Sequence, residues 1–501
     1  MPADAQPFAV LRVSFSSGLM KPNPPSLLRR LNPPGLFALV AGLGLSGGCS
    51  IYHPAAQPLA PGTTATALDA RTLHDDGLRR YLVQNLGHEP APWPLTAWDF
   101  ETLSWAAFYF NPTLDVARAQ WEVARAGLKT AAARPNPTLS VIPGYNTNPG
   151  AGISPWLPAI SADYLLETSG KRDRRQEIAR LATESSRQAV LAAAWQVRGD
   201  LRRALIDLAS AEKKLSLLQA QSGLQQRVVA LLEQRLQAGS LSAGELAAPR
   251  VALVRAETDL AAAERQLPLA RQRVAQILGV PADALRDLTL NPPALPNRFS
   301  AGQLEAARRI SLQSRADVLG ALARYESSQA ALASEVAKQY PDIHLGPGYQ
   351  YDQGADKWTL GLTFELPVFN HNEGPIAEAE ARRRQAAAEF VALQAQVIAD
   401  IDGAAAAQDA AAVNLSHLAR IQAELKLQQD RLQSRLTAGN ADRLEVASAG
   451  LELAAGELAL LDAQAQAASA AGQLEDSLQV PFSNLDALVV PSRALTSLPS
   501  P

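Results

Sequence analysis

The stretch "QRLQAG" (residues 234–239) closes a long run of helix-forming residues, and "SRLTAG" (434–439) closes a second such run at the corresponding place in the later part of the chain. In both, a basic residue and a leucine precede an Ala-Gly pair. Glycine takes the left-handed conformation that ends a helix, so each stretch reads as a reversal between two helices. Working outward, residues 112–281 lie over 316–481. Trp121-Glu122 falls on Tyr325-Glu326, "NPTLSVIPGY" (136–145) on "YPDIHLGPGY" (340–349), and "LGVP" (278–281) on "LQVP" (478–481). The chain is an internal duplication. The offset between halves changes by four residues, and that difference is expected between Tyr145 and Leu166, where loops absorb length changes.

Each half carries the same order: a helix, two extended segments, a very long helix, a turn and another helix. The long helices are expected over about 174–237 and 376–437, with apolar residues such as Val197, Leu201, Leu205 and Leu208, and Leu415, Leu418, Leu425 and Leu432, at helical spacing. Runs of that length imply coiled-coil or tubular packing. Gly239 and Gly439 then mark the far tips of two hairpins. Pro268 sits inside the helix after the first tip, where it removes a hydrogen bond and should kink the rod; Ala468 occupies the same offset in the second half.

The extended segments alternate with period two. Ile343, Leu345, Tyr349 and Tyr351 fall on one face and His344, Gly346, Gly348 and Gln350 on the other. Trp358, Leu360, Leu362, Phe364 and Leu366 oppose Thr359, Gly361, Thr363 and Glu365. In the first half Leu139, Val141 and Tyr145, then Ile160, Ala162, Tyr164 and Leu166, repeat the scheme. Alternation alone fits a soluble half-buried hairpin as well as a membrane barrel wall. Stoichiometry separates the two. Four strands per chain cannot close a membrane barrel, which needs about eight or more, so membrane-spanning strands here demand an oligomer. Thr359, Thr363 and Glu365 would then line the lumen.

Composition agrees with a mainly helical chain of 501 residues: 47% hydrophobic but only 5% aromatic, dominated by Ala and Leu among Gln, Glu and Arg. A net charge of −3 from 46 basic and 49 acidic residues leaves nucleic acid without an electrostatic footprint. No catalytic constellation emerges. The six histidines (53, 74, 88, 344, 371 and 417) show no zinc-ligand spacing, so no metal site and no cofactor are expected. Both methionines precede Cys49, leaving the mature chain without thioether ligands for soft metals. Gly42, Gly44 and Gly47 spell a dinucleotide-binding pattern, but without the flanking strand and helix it carries no chemistry.

The N-terminus reads as an export signal. Residues 36–45, "LFALVAGLGL", have the length of a signal core, and Lys21, Arg29 and Arg30 form its positive flank, which places the start at Met20. "LSGGCS" (45–50) resembles a bacterial lipobox with Leu45 one position early, making Cys49 the candidate for lipidation and Ser50 compatible with outer-membrane sorting. The expected organisation is a leader over 1–48, a lipid-anchored linker over 49–101, a first repeat over 102–281, an inter-repeat linker over 282–301, a second repeat over 302–481, and a tail over 482–501.

With strands, duplicated hairpins and lipobox together, residues 90–482 resemble the TolC family of outer-membrane efflux channels. "LLETSGKRDRR" (165–175) and "FELPVFNHNEGPIAEAEARR" (364–383) are similar to the strand-to-helix passages of its CzcC-like heavy-metal branch. The resemblance implies a homotrimer with a twelve-stranded barrel in outer-membrane lipid, joined to a periplasmic helical tube. It also implies docking to a periplasmic adaptor and an inner-membrane pump of the RND class, with no turnover of its own. In the family, acidic rings at the periplasmic tips help gate the pore. Aligned from Gly439, the first such position falls on Glu445 and the second on Ser448; Asp442 and Arg443 lie nearer the turn, and Glu245 is the first-half equivalent of Glu445. These charges either gate an aperture or solvate a helix end. The competing readings are a periplasmic coiled-coil adaptor that forms no pore, and a channel of the same fold for drugs or secreted polypeptides.

Overall fold

The computed structural model describes residues 56, 58–293 and 301–481. Cys49, the leader and the 482–501 tail lie outside the described residues. The folded body begins at Gly62. Its elements in chain order are α1 (Asp76–Leu86), β1 (Ala97–Trp98), α2 (Phe100–Phe110), α3 (Pro112–Ala132), β2 (Thr138–Ile142), β3 (Ala159–Leu166), α4 (Lys171–Gln237), α5 (Ala243–Leu278), β4 (Thr289–Leu290), α6 (Ala301–Ser314), α7 (Ala316–Ala337), β5 (Ile343–Asp352), β6 (Ala355–Phe364), α8 (Glu373–Thr437) and α9 (Arg443–Leu478).

The duplication is plain in this order: α3-β2-β3-α4-α5 is repeated as α7-β5-β6-α8-α9. The long helices run 67 and 65 residues, roughly 100 Å each at 1.5 Å per residue. On the strand side α3, α4, α7 and α8 pack side by side in that sequence. On the tip side α5 and α9 replace α3 and α7, so the layer becomes α5, α4, α9 and α8. α5 continues through Pro249 and Pro268 without a break.

The expected four-residue difference between halves resolves into compensating ones. The β2–β3 connection is a long loop over 143–158, closed by an isolated bridge between Tyr145 and Trp156, whereas β5 and β6 meet in a tight turn at Gln353-Gly354. The strand-to-helix passage is longer in the second half (365–372 against 167–170). Both passages nonetheless enter their helix through a left-handed residue, Gly170 in one and Asn372 in the other. Loops thus took up the divergence while the packed helices kept their lengths, because helix length is held by neighbours along the whole rod.

Residues Leu73 to Trp98, read above as part of a linker, belong instead to the main core. Leu73, Leu78, Leu82 and Trp98 are fully buried with Leu103, Leu114, Leu201, Leu205, Leu278 and Leu285. β1 pairs in parallel with β4, through Ala97 opposite Thr289 and Trp98 opposite Leu290, bringing the inter-repeat segment into the same body. Two-residue strands carry no periodicity, which is why the sequence did not reveal them. Buried Asn111 joins the parts: its Oδ1 accepts from the Thr113 N–H at 2.9 Å at the start of α3, and its Nδ2 donates to the Ile277 carbonyl at 2.8 Å.

The two repeats are also clamped by charge. Arg202 of α4 pairs with Glu475 of α9, donates from Nη1 to Asp476 at 2.9 Å and to the Gly472 carbonyl at 2.6 Å, and lies 5.2 Å from the Phe100 ring centre. Arg198, one turn away, pairs with Glu475 at 3.0 Å. Gly472 has no room for a side chain, since a Cβ there would meet Arg202 Cδ at 2.6 Å.

Candidate functional site

Two regions carry the sequence-derived candidates: the sheet at one end of the long helices and the hairpin tips at the other. The sheet has the order β2-β3-β5-β6, all antiparallel. Its register puts Leu345 opposite Leu362 and Tyr164, Tyr349 opposite Trp358 and Ile160, and Ile160 opposite Val141. One face is therefore apolar across all four strands. Among the described residues nothing covers it: Trp358 is 73% exposed, Leu360 71% and Leu139 71%. In water such a patch would be a liability; against lipid it is the favourable face. The ten residues of β6 rise about 33 Å along the strand and, tilted as barrel strands are, cover about 25 Å, the height of an apolar membrane band.

Aromatic pairs stand at the hairpin end of that face, Tyr145 with Trp156 (5.0 Å between ring centres) and Tyr349 with Trp358 (4.9 Å). Phe364 and the fully exposed Phe369 stand at the other end. This is the distribution of an interfacial girdle.

The opposite face is mostly small and polar, with Leu165 and Ile142 the larger apolar residues on it. Thr359 and Thr363 lie on it, Thr363 opposite His344 and Thr359 opposite Gly348. Glu365 falls one residue past the end of β6, at the rim rather than in the ladder, and is exposed. Among the described residues β2 and β6 are both free edges, and β2 holds only five ladder residues. An unpaired edge presents a row of open N–H and C=O groups and calls for another strand.

At the tips, Gly239 and Gly439 adopt φ of +71° and +75°. In the first hairpin Gly239 N–H donates to the Leu236 carbonyl at 3.0 Å and Ser240 N–H to the Arg235 carbonyl at 2.9 Å. In the second, Gly439 donates to Leu436 at 3.0 Å and Asn440 to Arg435 at 2.8 Å. The repeated Ala-Gly is thus a helix-closing motif that satisfies the last carbonyls of α4 and α8. Each turn then opens the next helix with a capping box. The Glu245 carboxylate accepts from the Ser242 N–H at 2.8 Å and hydroxyl at 2.7 Å, and Glu445 accepts from the Asp442 N–H at 3.4 Å. Both glutamates therefore hold a helix start. The hydrogen bonds from the Ser242 hydroxyl and then its backbone keep the Glu245 carboxyl below its ordinary range.

Asp442 does a second thing. It forms an ion pair with Arg235, linking the second hairpin's tip to the first. Burial works to raise the Asp442 carboxyl, but hydrogen bonds from Arg235 and the N–H groups of Leu444 and Arg443, with the Arg235 charge, hold it below the usual carboxylate range. Arg435, the counterpart of Arg235, is used inside its own turn, donating to the Asn440 carbonyl at 3.0 Å. Arg443 and Ser448 are exposed on α9. The sequence reading missed the Arg235–Asp442 link because its partners lie 207 residues apart. The echo that aligned Arg235 with Arg435 was the available signal.

A model of the outer membrane efflux protein family matches residues 107–280. The cobalt-zinc-cadmium resistance protein CzcC of Cupriavidus metallidurans is 26% identical over 288 residues, 56% of this chain and 66% of that protein, so the match spans just under two thirds of the relative. Among solved structures, the outer membrane protein VceC of Vibrio cholerae superposes with a TM-score of 0.63 at 21% identity, over 76% of this chain and 96% of that one. The outer-membrane channel OprN gives 0.64 at 18% identity over 87% and 99%. The matched sequence in the first repeat and the shared architecture agree on the fold: the chain is TolC-like in fold, and its residues 107–280 match the outer membrane efflux protein family.

Proposed function

We propose that this protein is the outer-membrane conduit of a tripartite RND-type efflux system, exporting divalent heavy-metal cations. Three copies join β6 of one protomer to β2 of the next, twelve strands in all, and the tube of helices below reaches through the periplasm to an adaptor and an inner-membrane pump. The observation that carries this reading is the four-stranded sheet with two open edges and one uncovered apolar face, which only neighbouring strands and lipid can satisfy together. A periplasmic adaptor has no use for such a face. The metal cargo is supported by the similarity to the cobalt-zinc-cadmium resistance protein.

The helix tips form the periplasmic aperture in this reading. Arg235 and Asp442 tie neighbouring hairpins of one protomer, while Glu245 and Glu445 cap their helices and bring negative charge to the entrance. Lipid on Cys49 gives a second hold on the membrane.

Heat-modifiable trimers from outer-membrane fractions, conducting in planar bilayers, are the expected result. Monodisperse single chains without conductance would refute the channel reading. A deletion strain scored against cobalt, zinc, cadmium, copper and common drugs tests the cargo, and sensitivity to drugs alone would overturn the metal assignment. Labelled palmitate retained by a Cys49→Ser variant would remove the lipid anchor.

A further inference from the structure

We infer that Asp163 and His344 form a weak, exchanging binding site for first-row divalent metal cations on the inner wall of the barrel, one in each protomer. The inference rests on the pore reading above and adds a place where cargo touches the wall. His344 lies on β5 and Asp163 on the neighbouring β3, and both have the strand parity of the small, polar face. Their register is diagonal: His344 stands opposite Leu165, and continuing the antiparallel ladder puts Asp163 across from Gly346, which brings no side chain to the spot.

His344 Nδ1–H donates to Asp163, with Nδ1 2.9 Å from Oδ2 and 3.2 Å from Oδ1. Both side chains are nearly half exposed, at 42% and 46%. A carboxylate at Nδ1 fixes the ring tautomer and leaves the Nε2 lone pair free. This is the arrangement found behind metal-binding histidines, where the carboxylate orients the ring and raises its basicity. Imidazole suits zinc, nickel, cobalt and copper, and magnesium prefers oxygen ligands.

The surroundings make the pair distinctive. On the same face Leu165, Thr138 and Thr363 stand directly across from the pair, Ser161 and Thr359 lie beyond, and none of these ionises; Glu365 shares the face at the rim, one residue past the end of β6. Lys357 and Asp352 lie at the hairpin end and pair with each other. At the base, Asp342 is held by Lys171 at 2.8 Å. Among the described residues, no group of three or more potential ligands comes together, so water must complete the coordination shell and binding must be loose. Looseness suits a conduit, because a wall site that held its ion tightly would obstruct the flow.

The test uses the purified full-length protein in planar bilayers, with potassium as current carrier and Ni²⁺ or Zn²⁺ added on the barrel side. Millimolar Ni²⁺ should produce brief, concentration-dependent current reductions that Mg²⁺ does not. His344→Gln should abolish them at unchanged potassium conductance. Asp163→Asn, which keeps the ring but loses its orienting charge, should weaken them about tenfold. His417→Gln, altering an exposed histidine on α8, should behave as wild type. Equal Ni²⁺ sensitivity in wild type and His344→Gln, or none in either, would overturn the site and leave the pore standing. Absence of any potassium conductance would overturn the pore, and Ni²⁺ calorimetry on the detergent-solubilised protein would then decide the site alone: no heat difference between wild type and His344→Gln would refute it.

Discussion

Replacing Arg202 with methionine removes the centre of the clamp between repeats while keeping side-chain length. The Arg202 side chain is 4% exposed and Glu475 6%. The substitution deletes the Glu475 pair, the 2.9 Å bond to Asp476 and the 2.6 Å bond to the Gly472 carbonyl. Breaking a buried ion pair from one side costs about 3–5 kcal/mol, because the partner's charge stays buried without compensation. Two features place Arg202→Met near the lower end, about 3 kcal/mol: Glu475 keeps Arg198 at 3.0 Å, and Asp476 is 23% exposed with Arg203 at 3.6 Å. The effect should depend on pH. Burial raises the Asp476 carboxyl, and the Arg202 charge and hydrogen bond oppose that rise. Without Arg202 the carboxyl rises further. An acid whose folded pKa exceeds its unfolded value costs stability once pH climbs past it, so the deficit should be full at neutral pH and shrink as pH falls through the carboxylate range. Urea unfolding of the purified protein followed by helical circular dichroism at pH 7 and pH 5 is the assay, in a double-mutant cycle with Glu475→Gln. A loss under about 1 kcal/mol at pH 7, as at exposed pairs, or full additivity with Glu475→Gln, would refute the argument.

Three further outcomes are expected. Asp442→Asn should raise leak through the closed aperture by releasing Arg235; because Asp442 titrates below the ordinary range, wild type should keep this tie at neutral pH and lose it only as pH falls through that depressed value. Leak unchanged in Asp442→Asn would remove the tie from the gate. Glu445→Gln keeps a side chain able to complete the capping box, so a change in cation preference without lost helicity would report charge alone, and unchanged selectivity would leave Glu445 as a cap only. Leu360→Arg places a charge on the uncovered apolar face and should cost about 2–4 kcal/mol of membrane insertion, seen as lost heat-modifiable trimers. The adjacent Thr359→Arg, on the opposite face, should assemble and alter conductance, and the reverse pattern would invert the assignment of the two faces.

Much of the architecture was legible because its signals are local and periodic. The 3.6-residue spacing over α4 and α8, the period-two alternation in β6 and the glycines at 239 and 439 each state a backbone requirement within a few residues. Duplication strengthened them by writing each twice. The weak places were those where the pattern is short or absent: the β1–β4 pair, the burial of Leu73 to Trp98, and the true extent of the 143–158 loop. The tip glutamates show the limit for sites: by sequence Glu245 and Glu445 read as aperture charges or as charges solvating a helix end, and their bonds to Ser242 and Asp442 came only with the folded turns.

What the amino-acid order determined by itself is the subunit's plan: two repeats, two long hairpins, and four strands with one apolar face, since these follow from propensity and periodicity along the chain. Only the folded arrangement decided which distant groups meet. Arg202 with Glu475, Arg235 with Asp442 and His344 with Asp163 are separated by about half the chain or less, and no local rule pairs them. They meet because the repeats pack beside one another, and that packing is set by the summed burial along the rods, with the charges then falling into register.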